Sequence, residues 1–302
     1  MTTDRVDLHC HSTASDGRWT QHQLVSHAAR IGLKALALTD HDTLAGLPTF
    51  HQAGRELGLE TVSGVEISTK YTKGTMHMLG LFVEPNDSFR AFLKELADGR
   101  KIRNPQIITK LNALGLTITM AEVEREAGLS DNDAGGGAID KSVGRPHIAS
   151  VLVSKGYVRN KQEAFEKYLA KGQPAYVSRF VASPEDSIGH IHAAGGLAIL
   201  AHPPYLGAAD DAEMYAIVGD LKSKGLDGIE VLYSTHTAEQ QALCARLAQK
   251  YDLVPSGGSD FHGEPGTTGK MIELGYGFGG SLNVPYSVLA GLKERWAARK
   301  GA

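Results

Sequence analysis

The sequence predicts an α/β protein, a parallel sheet or barrel interrupted by a mostly helical insertion. Three observations lead there. Short apolar runs alternate with helical patterns toward both ends of the chain. Histidine and carboxylate residues recur where those runs end, and a middle stretch loses the alternation altogether.

Taken in order, residues 6–10 read as a strand and 20–31 as a helix with Leu24, Val25, Ala28 and Ile31 on one face. A compact apolar strand at 35–38 is followed by a helix at 44–57 and a strand at 60–67. Residues 76–83 alternate as one arm of a hairpin. After a break come a strand at 197–200, a helix at 212–224, a strand at 227–232 and a helix at 238–251. A strand at 253–256 and a helix at 286–298 complete the series. The middle carries helical patterns at 107–114, 121–127, 147–155 and 161–169, with a bend at Gly135-Gly136-Gly137 that reads as a flexible loop. The expected division is 1–97 and 178–302 for the two parts of the α/β domain, with 98–177 as a helical insertion covering the substrate.

A chain of 302 residues accommodates one large α/β domain with such an insertion. Hydrophobic residues at 42% and charged residues at 22% are ordinary for a soluble globular protein. The net charge of -3 argues against non-specific binding of long nucleic acid, but allows a small phosphorylated substrate at a local positive site. Cys10 and Cys244 are too few for a disulfide framework, and nothing resembles a signal peptide. No apolar run approaches the roughly 20 residues needed to span a bilayer. The expectation is a cytoplasmic protein with no membrane association and no obligatory protein partner.

The chemistry lies in where the 13 histidines fall. A lone histidine is ordinarily a surface or hydrogen-bonded core residue. His9-Cys10-His11 ends the first strand, so alternation puts both histidines on one face as a candidate chelating pair and leaves Cys10 to packing. Asp7 shares that face, either orienting a histidine or serving as a buried hydrogen-bonding group. Asp16 follows in Ser15-Asp16-Gly17, and His41 in Thr39-Asp40-His41-Asp42 after the second strand. Glu66 ends the third strand and His77 lies in the hairpin. His202 stands in Ala201-His202-Pro203, and Asp260 and His262 in Ser259-Asp260-Phe261-His262. Each aspartate alone has a turn or cap role as its ordinary alternative. Together they mark nearly every strand end, and in a parallel barrel those C-terminal ends form one face.

Imidazole and carboxylate ligands suit manganese, iron or zinc, and the absence of cysteine from the set argues against a closed structural zinc site. Three divalent ions against the three carboxylates Asp16, Glu66 and Asp260 leave the charge of a phosphate dianion plus hydroxide. Two ions leave too little. The expectation is a trinuclear site, manganese first among the candidates, built for a phosphate ester.

The motifs Asp7-Leu8-His9-Cys10-His11-Ser12, Thr39-Asp40-His41-Asp42, Gly64-Val65-Glu66, Ala201-His202-Pro203 and Ser259-Asp260-Phe261-His262 resemble the PHP (polymerase and histidinol phosphatase) family. That resemblance implies a distorted (β/α)7 barrel with a trinuclear centre at the strand C-termini. It implies one ion held by His9, His11, Glu66 and Asp260, and a second by Asp16, His41 and His262. Glu66, His77 and His202 would hold the third, with Glu66 bridging. Arg103-Asn104, Gly144-Arg145-Pro146-His147-Ile148-Ala149 and Gly172-Gln173-Pro174-Ala175-Tyr176-Val177 look like the branch of bisphosphate nucleotide phosphatases and 5′-to-3′ exoribonucleases of short RNA. Arg145 and His147 lie just before a helix pattern, where cations and free N–H groups receive a phosphate, ordinary helix-start chemistry being the alternative. Arg103 and Asn104 are further substrate contacts, while His236 reads as a surface histidine.

The expected reaction is direct hydrolysis of a phosphate monoester by metal-activated water, without a phospho-enzyme. Asp16, His41, Arg145 and His262 are the residues expected at the reacting phosphate. The first-choice substrate is the 3′-phosphate of a nucleoside 3′,5′-bisphosphate. The alternatives are a short RNA degraded from its 5′ end and histidinol phosphate. An amidohydrolase-type deaminase or amidase also begins with His-x-His, but does not call for Glu66, His77 and the Asp260–His262 pair, and often needs a bridging lysine. A non-catalytic metal-binding module, as embedded in large polymerases, would not need a full ligand set in so short a chain.

Overall fold

Seven strands pair in the order in which they occur along the chain. They are β1 (Val6–Asp7), β2 (Ala35–Leu38), β3 (Glu60–Thr69), β4 (Met76–Leu81), β5 (Leu197–Leu200), β6 (Gly228–Tyr233) and β7 (Val254–Gly258). The structure is a computed structural model that describes residues 4–129, 141–263 and 271–301. The glycine run at 135–137 lies outside them. Neighbouring strands are parallel except around β4, which runs antiparallel to both β3 and β5. The sheet nearly closes, because Leu8 donates its N–H to the Gly257 carbonyl at 3.2 Å and Cys10 bridges Phe261 in parallel register. Closure requires glycine at 258, since a Cβ there would collide with the backbone nitrogen and Cβ of His9. This is the expected distorted (β/α)7 barrel, its distortion traceable to the reversed β4 and the very short β1.

Both faces of the strands are covered, and for that reason they read as continuous apolar runs. Val6, Leu8, Ala35, Ala37, Leu197 and Ile199 belong to the cluster inside the barrel. Leu36, Leu38, Ala198 and Leu200 point the other way, into a cluster shared with the surrounding helices. Those helices are α1 (Gln21–Arg30) and α2 (Leu47–Leu57), then, after a helical segment, α7 (Pro184–Ala193), α8 (Asp211–Ser223), α9 (Ala238–Lys250) and α10 (Tyr286–Lys300). A capping box starts α1: Thr20 Oγ1 accepts from the Gln23 N–H at 3.3 Å, and Gln23 Oε1 accepts from the Thr20 N–H at 2.8 Å.

The helical segment comprises α3 (Asp87–Ala113), α4 (Met120–Glu126), α5 (Arg145–Ser154) and α6 (Lys161–Ala164), the last continued by a π turn at Phe165–Leu169. It has its own apolar cluster, with Ile107, Leu111, Val123, Ile148 and Leu152 at its centre. The first half of α3 instead inserts Phe89, Phe92, Leu93 and Leu96 into the barrel's cluster, so one helix joins the two cores. A short hairpin, β8 (Ile272–Glu273) with β9 (Gly277–Phe278), precedes α10. The first half of α3 and all of α7 have no counterpart in the sequence reading. The strand expected over 6–10 is regular only at Val6–Asp7, because beyond it the chain follows the barrel rim through isolated contacts.

Candidate metal centre

The rim contacts bring together segments that are far apart in sequence. Asp260 donates its N–H to the His9 carbonyl at 2.8 Å, and His11 donates to the Phe261 carbonyl at 2.9 Å. Asp260 Oδ1 therefore lies 3.3 Å from His9 Nε2 and 3.1 Å from His11 Nε2. The rings of His11 and His262 stack with centroids 4.1 Å apart. Next to β1, the chain leaving β2 continues beside β3, bridging His41 to Glu66. His41 Nδ1 is 3.0 Å from Glu66 Oε2, and Asp16 Oδ1 is 3.3 Å from His262 Nε2. The other Glu66 oxygen faces His77 Nδ1 at 2.7 Å and His202 Nε2 at 3.0 Å. All nine candidates thus meet at one end of the barrel, around Glu66.

Three overlapping groups have ligand atoms within 4.8 Å of one another: His11, Asp16, His41 and His262; His9, His11, Glu66 and Asp260; His41, Glu66 and His77. His202 joins through Glu66 Oε1. Among the described residues, five non-glycine residues have positive φ, and Asp42, His202 and Asp260 at this rim are three of them. Strained backbone concentrated here is the pattern of a functional site.

The cluster's polar atoms are poorly satisfied by the protein. Among the described residues, His9 Nε2, both ring nitrogens of His11, Asp16 Oδ1, His41 Nδ1, Glu66 Oε2, His202 Nδ1 and Asp260 Oδ1 are buried and find no hydrogen-bond partner. Each such group costs about 1–3 kcal/mol. Lone pairs of imidazole and carboxylate converging in this way fit divalent cations, which satisfy several at once. Burial raises the carboxylates, but nearby imidazoles outweigh it. His41 and His262 hold Asp16 well below the usual carboxylate range; His41, His77 and His9 do so for Glu66, and His9 and His262 for Asp260. Burial opposes protonation of His11, yet Asp260 and Glu66 push it up to about 10. Burial brings His41 down to about 4, with Glu66 and Asp16 opposing. The carboxylates are thus ionised, and metal loading would displace protons from imidazole.

A second cluster stands beside the first. Asp42, next to His41 in sequence, is fully buried; its Oδ2 accepts from Arg100 Nη2 at 2.5 Å and from Arg179 Nη2 at 2.9 Å. Burial raises its carboxyl, but Arg100 and Arg179 outweigh that and hold it at about 2. Arg103 donates to Asn104 Oδ1 at 2.8 Å, its one hydrogen-bond partner among the described residues, while Asn104 Nδ2 donates to the Val143 carbonyl at 3.0 Å. Arg145 donates to the Leu169 carbonyl at 2.9 Å and lies 5.6 Å from the centroids of the Phe165 and Tyr176 rings. Among the described residues no carboxylate pairs with Arg103 or Arg145. Burial first, then Arg100, Arg145 and Arg179, push the Arg103 guanidinium below the usual arginine range. Positive charge is therefore concentrated in a buried place where, among the described residues, Asp42 is the carboxylate paired with it, and bidentate guanidinium groups suit phosphate. Arg145 and His147 occupy the first turn of α5 itself, which begins two residues earlier than expected, and His147 Nδ1 caps the helix by accepting from the Gly144 N–H at 3.0 Å. Burial brings His147 down to about 4, with Asp16 the first opposing charge, which ties α5 to the metal-ligating face.

Asp42→Asn is expected to lower the unfolding free energy by roughly 3–5 kcal/mol, because two buried arginines lose their carboxylate. Urea denaturation measures this, and a loss under about 1 kcal/mol would show that the arginines are held by other means.

Several residues of this face escaped the sequence reading. Asp40 accepts from Ser12 N–H at 2.7 Å and from the Ser12 and Ser15 hydroxyls at 2.6 Å, holding the loop that carries Asp16. Arg100 was signalled by its spacing, one helical turn before Arg103. Arg179 lies in a loop with no periodicity to betray it. Glu230 and Tyr233 on β6 touch the cluster directly, at His9 and Asp260 respectively. Asp7 orients no histidine ring; its oxygens accept backbone N–H groups of His9, Ser259 and Gly275. His236 is half-buried and not a surface residue, its ring 5.0 Å from that of Tyr233 and its Nε2 enclosed.

Known proteins resemble this chain in sequence and in fold. The family model described as PHP domain matches residues 7–194. A 5′-3′ exoribonuclease of Haemophilus influenzae is 38% identical over 274 residues, covering 90% of this chain and 94% of its own. A 3′,5′-nucleoside bisphosphate phosphatase of Chromobacterium violaceum is 35% identical over 270 residues, 88% of this chain and 90% of its own. A solved structure from Chromobacterium violaceum, described as an amidohydrolase with bound sulfate and no metal, has a TM-score of 0.80 at 32% identity and covers 96% of each chain.

Proposed function

Because the chain belongs to the PHP-domain family and is a metal-dependent phosphatase, we propose that its substrate is a nucleoside 3′,5′-bisphosphate. The 3′-phosphate is the one removed, leaving the 5′-monophosphate. The observation that carries this substrate is the arginine cluster beside the metal-ligating face, where Arg103 and Arg145 have no carboxylate partner among the described residues. One phosphate belongs at the ligand cluster and the other at the arginines, so the remote phosphate helps to position the reacting one.

His9, His11, Asp16, His41, Glu66, His77, His202, Asp260 and His262 would hold the ions, three in number, with manganese the first candidate and iron or zinc the others. Bound there, divalent ions supply Lewis-acid polarisation of phosphoryl oxygens and a water acidified toward neutral pH. Asp16, His41 and His262, which share one of the ligand groups, face the reacting phosphate. Arg145, with Arg103, Asn104 and His147, binds and orients the substrate and offsets charge on its oxygens. The helical segment, taken as residues 98–177, serves as the cap that brings these groups over the barrel. Its contacts with the rim include Ser142 N–H donating to the Ala14 carbonyl at 3.0 Å and Arg18 donating to Ser150 Oγ at 3.1 Å. Among the described residues no helix is long and apolar enough to cross a membrane. The free thiols of Cys10 and Cys244 support a cytoplasmic location.

Exoribonuclease action on short RNA is the second reading, favoured by the name of the Haemophilus influenzae relative. The test is kcat/KM in manganese for adenosine 3′,5′-bisphosphate, adenosine 3′-monophosphate, histidinol phosphate and a short 5′-phosphorylated RNA. The bisphosphate is expected to exceed the monophosphate by roughly 10–100-fold, the worth of one or two charge-assisted hydrogen bonds. Equal values would remove the anchoring role of the arginines, and faster turnover of the RNA would give the site to the exonuclease.

A further inference from the structure

Strand β6 delivers no candidate ligand to the metal-ligating face, yet it places a buried carboxylate against two of them. Glu230 is 0% exposed and stands in the otherwise apolar run Gly228-Ile229-Glu230-Val231. Its Oε1 lies 3.1 Å from His9 Nδ1, and its Oε2 accepts the backbone N–H of His202 at 2.8 Å. Both oxygens are thus occupied, one by a ring that follows β1 and one by the turn that follows β5. Burying an ionised carboxylate costs several kcal/mol, so its presence in a strand core needs a compensating role.

We propose that Glu230 is a positioning residue of the metal centre, fixing the tautomer of His9 and the backbone of His202 so that both rings face the ions. A carboxylate oxygen facing a ring nitrogen at 3.1 Å is the acceptor of that contact, which puts a proton of His9 on Nδ1. With Nδ1 bonded to Glu230, Nε2 is left to face Glu66 Oε2 at 3.4 Å and Asp260 Oδ1 at 3.3 Å, the side from which His9 would hold an ion. His202 has φ 29° and ψ 63°, a conformation side chains other than glycine rarely adopt. The bond from its N–H to Glu230 offsets that strain, and the same conformation sends its Nε2 to within 3.0 Å of Glu66. The register of β6 against β7 shifts between Glu230 and Leu232, an irregularity of the kind that re-aims a side chain. Three residues on, Tyr233 donates its hydroxyl to Asp260 Oδ2 at 2.6 Å, which leaves Oδ1 to the cluster. Strand β6 thereby braces ligands from three other parts of the barrel.

The proposal rests on the metal-centre reading, and the experiment separates the two. The full chain and its Glu230→Gln variant are titrated with zinc in competition with a chromophoric chelator, with fold followed by near-UV circular dichroism. A glutamine offers one acceptor where two N–H groups converge, and zinc affinity is expected to fall by about 10–100-fold with the fold retained. Glu230→Asp keeps the charge but is one methylene shorter, reaches only one of the two groups, and is expected to lose affinity as well. Unchanged affinity in a folded Glu230→Gln protein overturns the assignment. Loss of fold in both variants also overturns it, making Glu230 a folding residue. If the unaltered chain binds no zinc, the metal-centre reading itself is what fails.

Discussion

Glu66→Gln is expected to reduce kcat/KM by on the order of 10³-fold or more, at least ~4 kcal/mol of transition-state stabilisation, and to strip bound metal. Glu66 is 1% exposed and lies within ion-pair distance of five imidazoles, those of His9, His11, His41, His77 and His202. Among the described residues no other side chain of the centre has so many ion-pair partners, and its two oxygens divide them: Oε2 faces His9, His11 and His41, while Oε1 faces His77 and His202. Glutamine keeps the shape but loses the negative charge and one acceptor, so an ion held near either oxygen would be bound more weakly. Metal content by elemental analysis, alongside phosphate release, checks the expectation. A variant with undiminished metal and activity within tenfold of the unaltered enzyme would remove Glu66 from the centre.

What made such residues readable was a coincidence of two simple signals. The strands are apolar because they are covered on both faces, and each ends in a polar group because the barrel's C-terminal rim is where the covering stops. His41 and Glu66 were placed by that logic, although β3 runs on past the expected end to Thr69 and leaves Glu66 within it, and the bridge between the two residues is now visible. Glu230 escaped it because it lies inside its strand and not at the end, and because its partners are a ring nitrogen and a backbone N–H contributed by distant segments. The helix α3 escaped for another reason. Its first half turns Phe89, Phe92 and Leu96 to the barrel and its second half turns Ile107 and Leu111 to the cap, so no single stripe runs its length. Pro105, which argues against a continuous helix, stands inside it. The arginine cluster was half legible. Arg103 and Arg145 were found through a resemblance, while Arg100, whose spacing from Arg103 went unused, and Arg179 were placed by the structure, through Asp42, which pairs with both.

Arg145→Ala is expected to lower kcat/KM for adenosine 3′,5′-bisphosphate by about 10²-fold while leaving metal content unchanged. On adenosine 3′-monophosphate the loss is expected to be under about tenfold, so the preference between the two substrates shrinks toward unity. The magnitude follows from what truncation leaves behind. Removing one member of a buried charge pair costs about 2–5 kcal/mol, because the remaining charge, here a phosphate, stays desolvated without its partner. Alanine also removes the hydrogen bond to the Leu169 carbonyl and the approach to Phe165 and Tyr176, but these lie in the cap and not among the metal-ligating side chains. Unchanged metal is therefore part of the expectation. The comparison of two substrates identifies the phosphate that Arg145 serves. A selective loss on the bisphosphate places the guanidinium at the remote phosphate, as an anchor whose binding energy is spent in positioning the other. An equal loss on both substrates would move it to the reacting phosphate, leaving Arg103, which likewise has no carboxylate partner among the described residues, as the anchor. Loss of metal in the variant would contradict both placements, since neither gives Arg145 a hold on the ions.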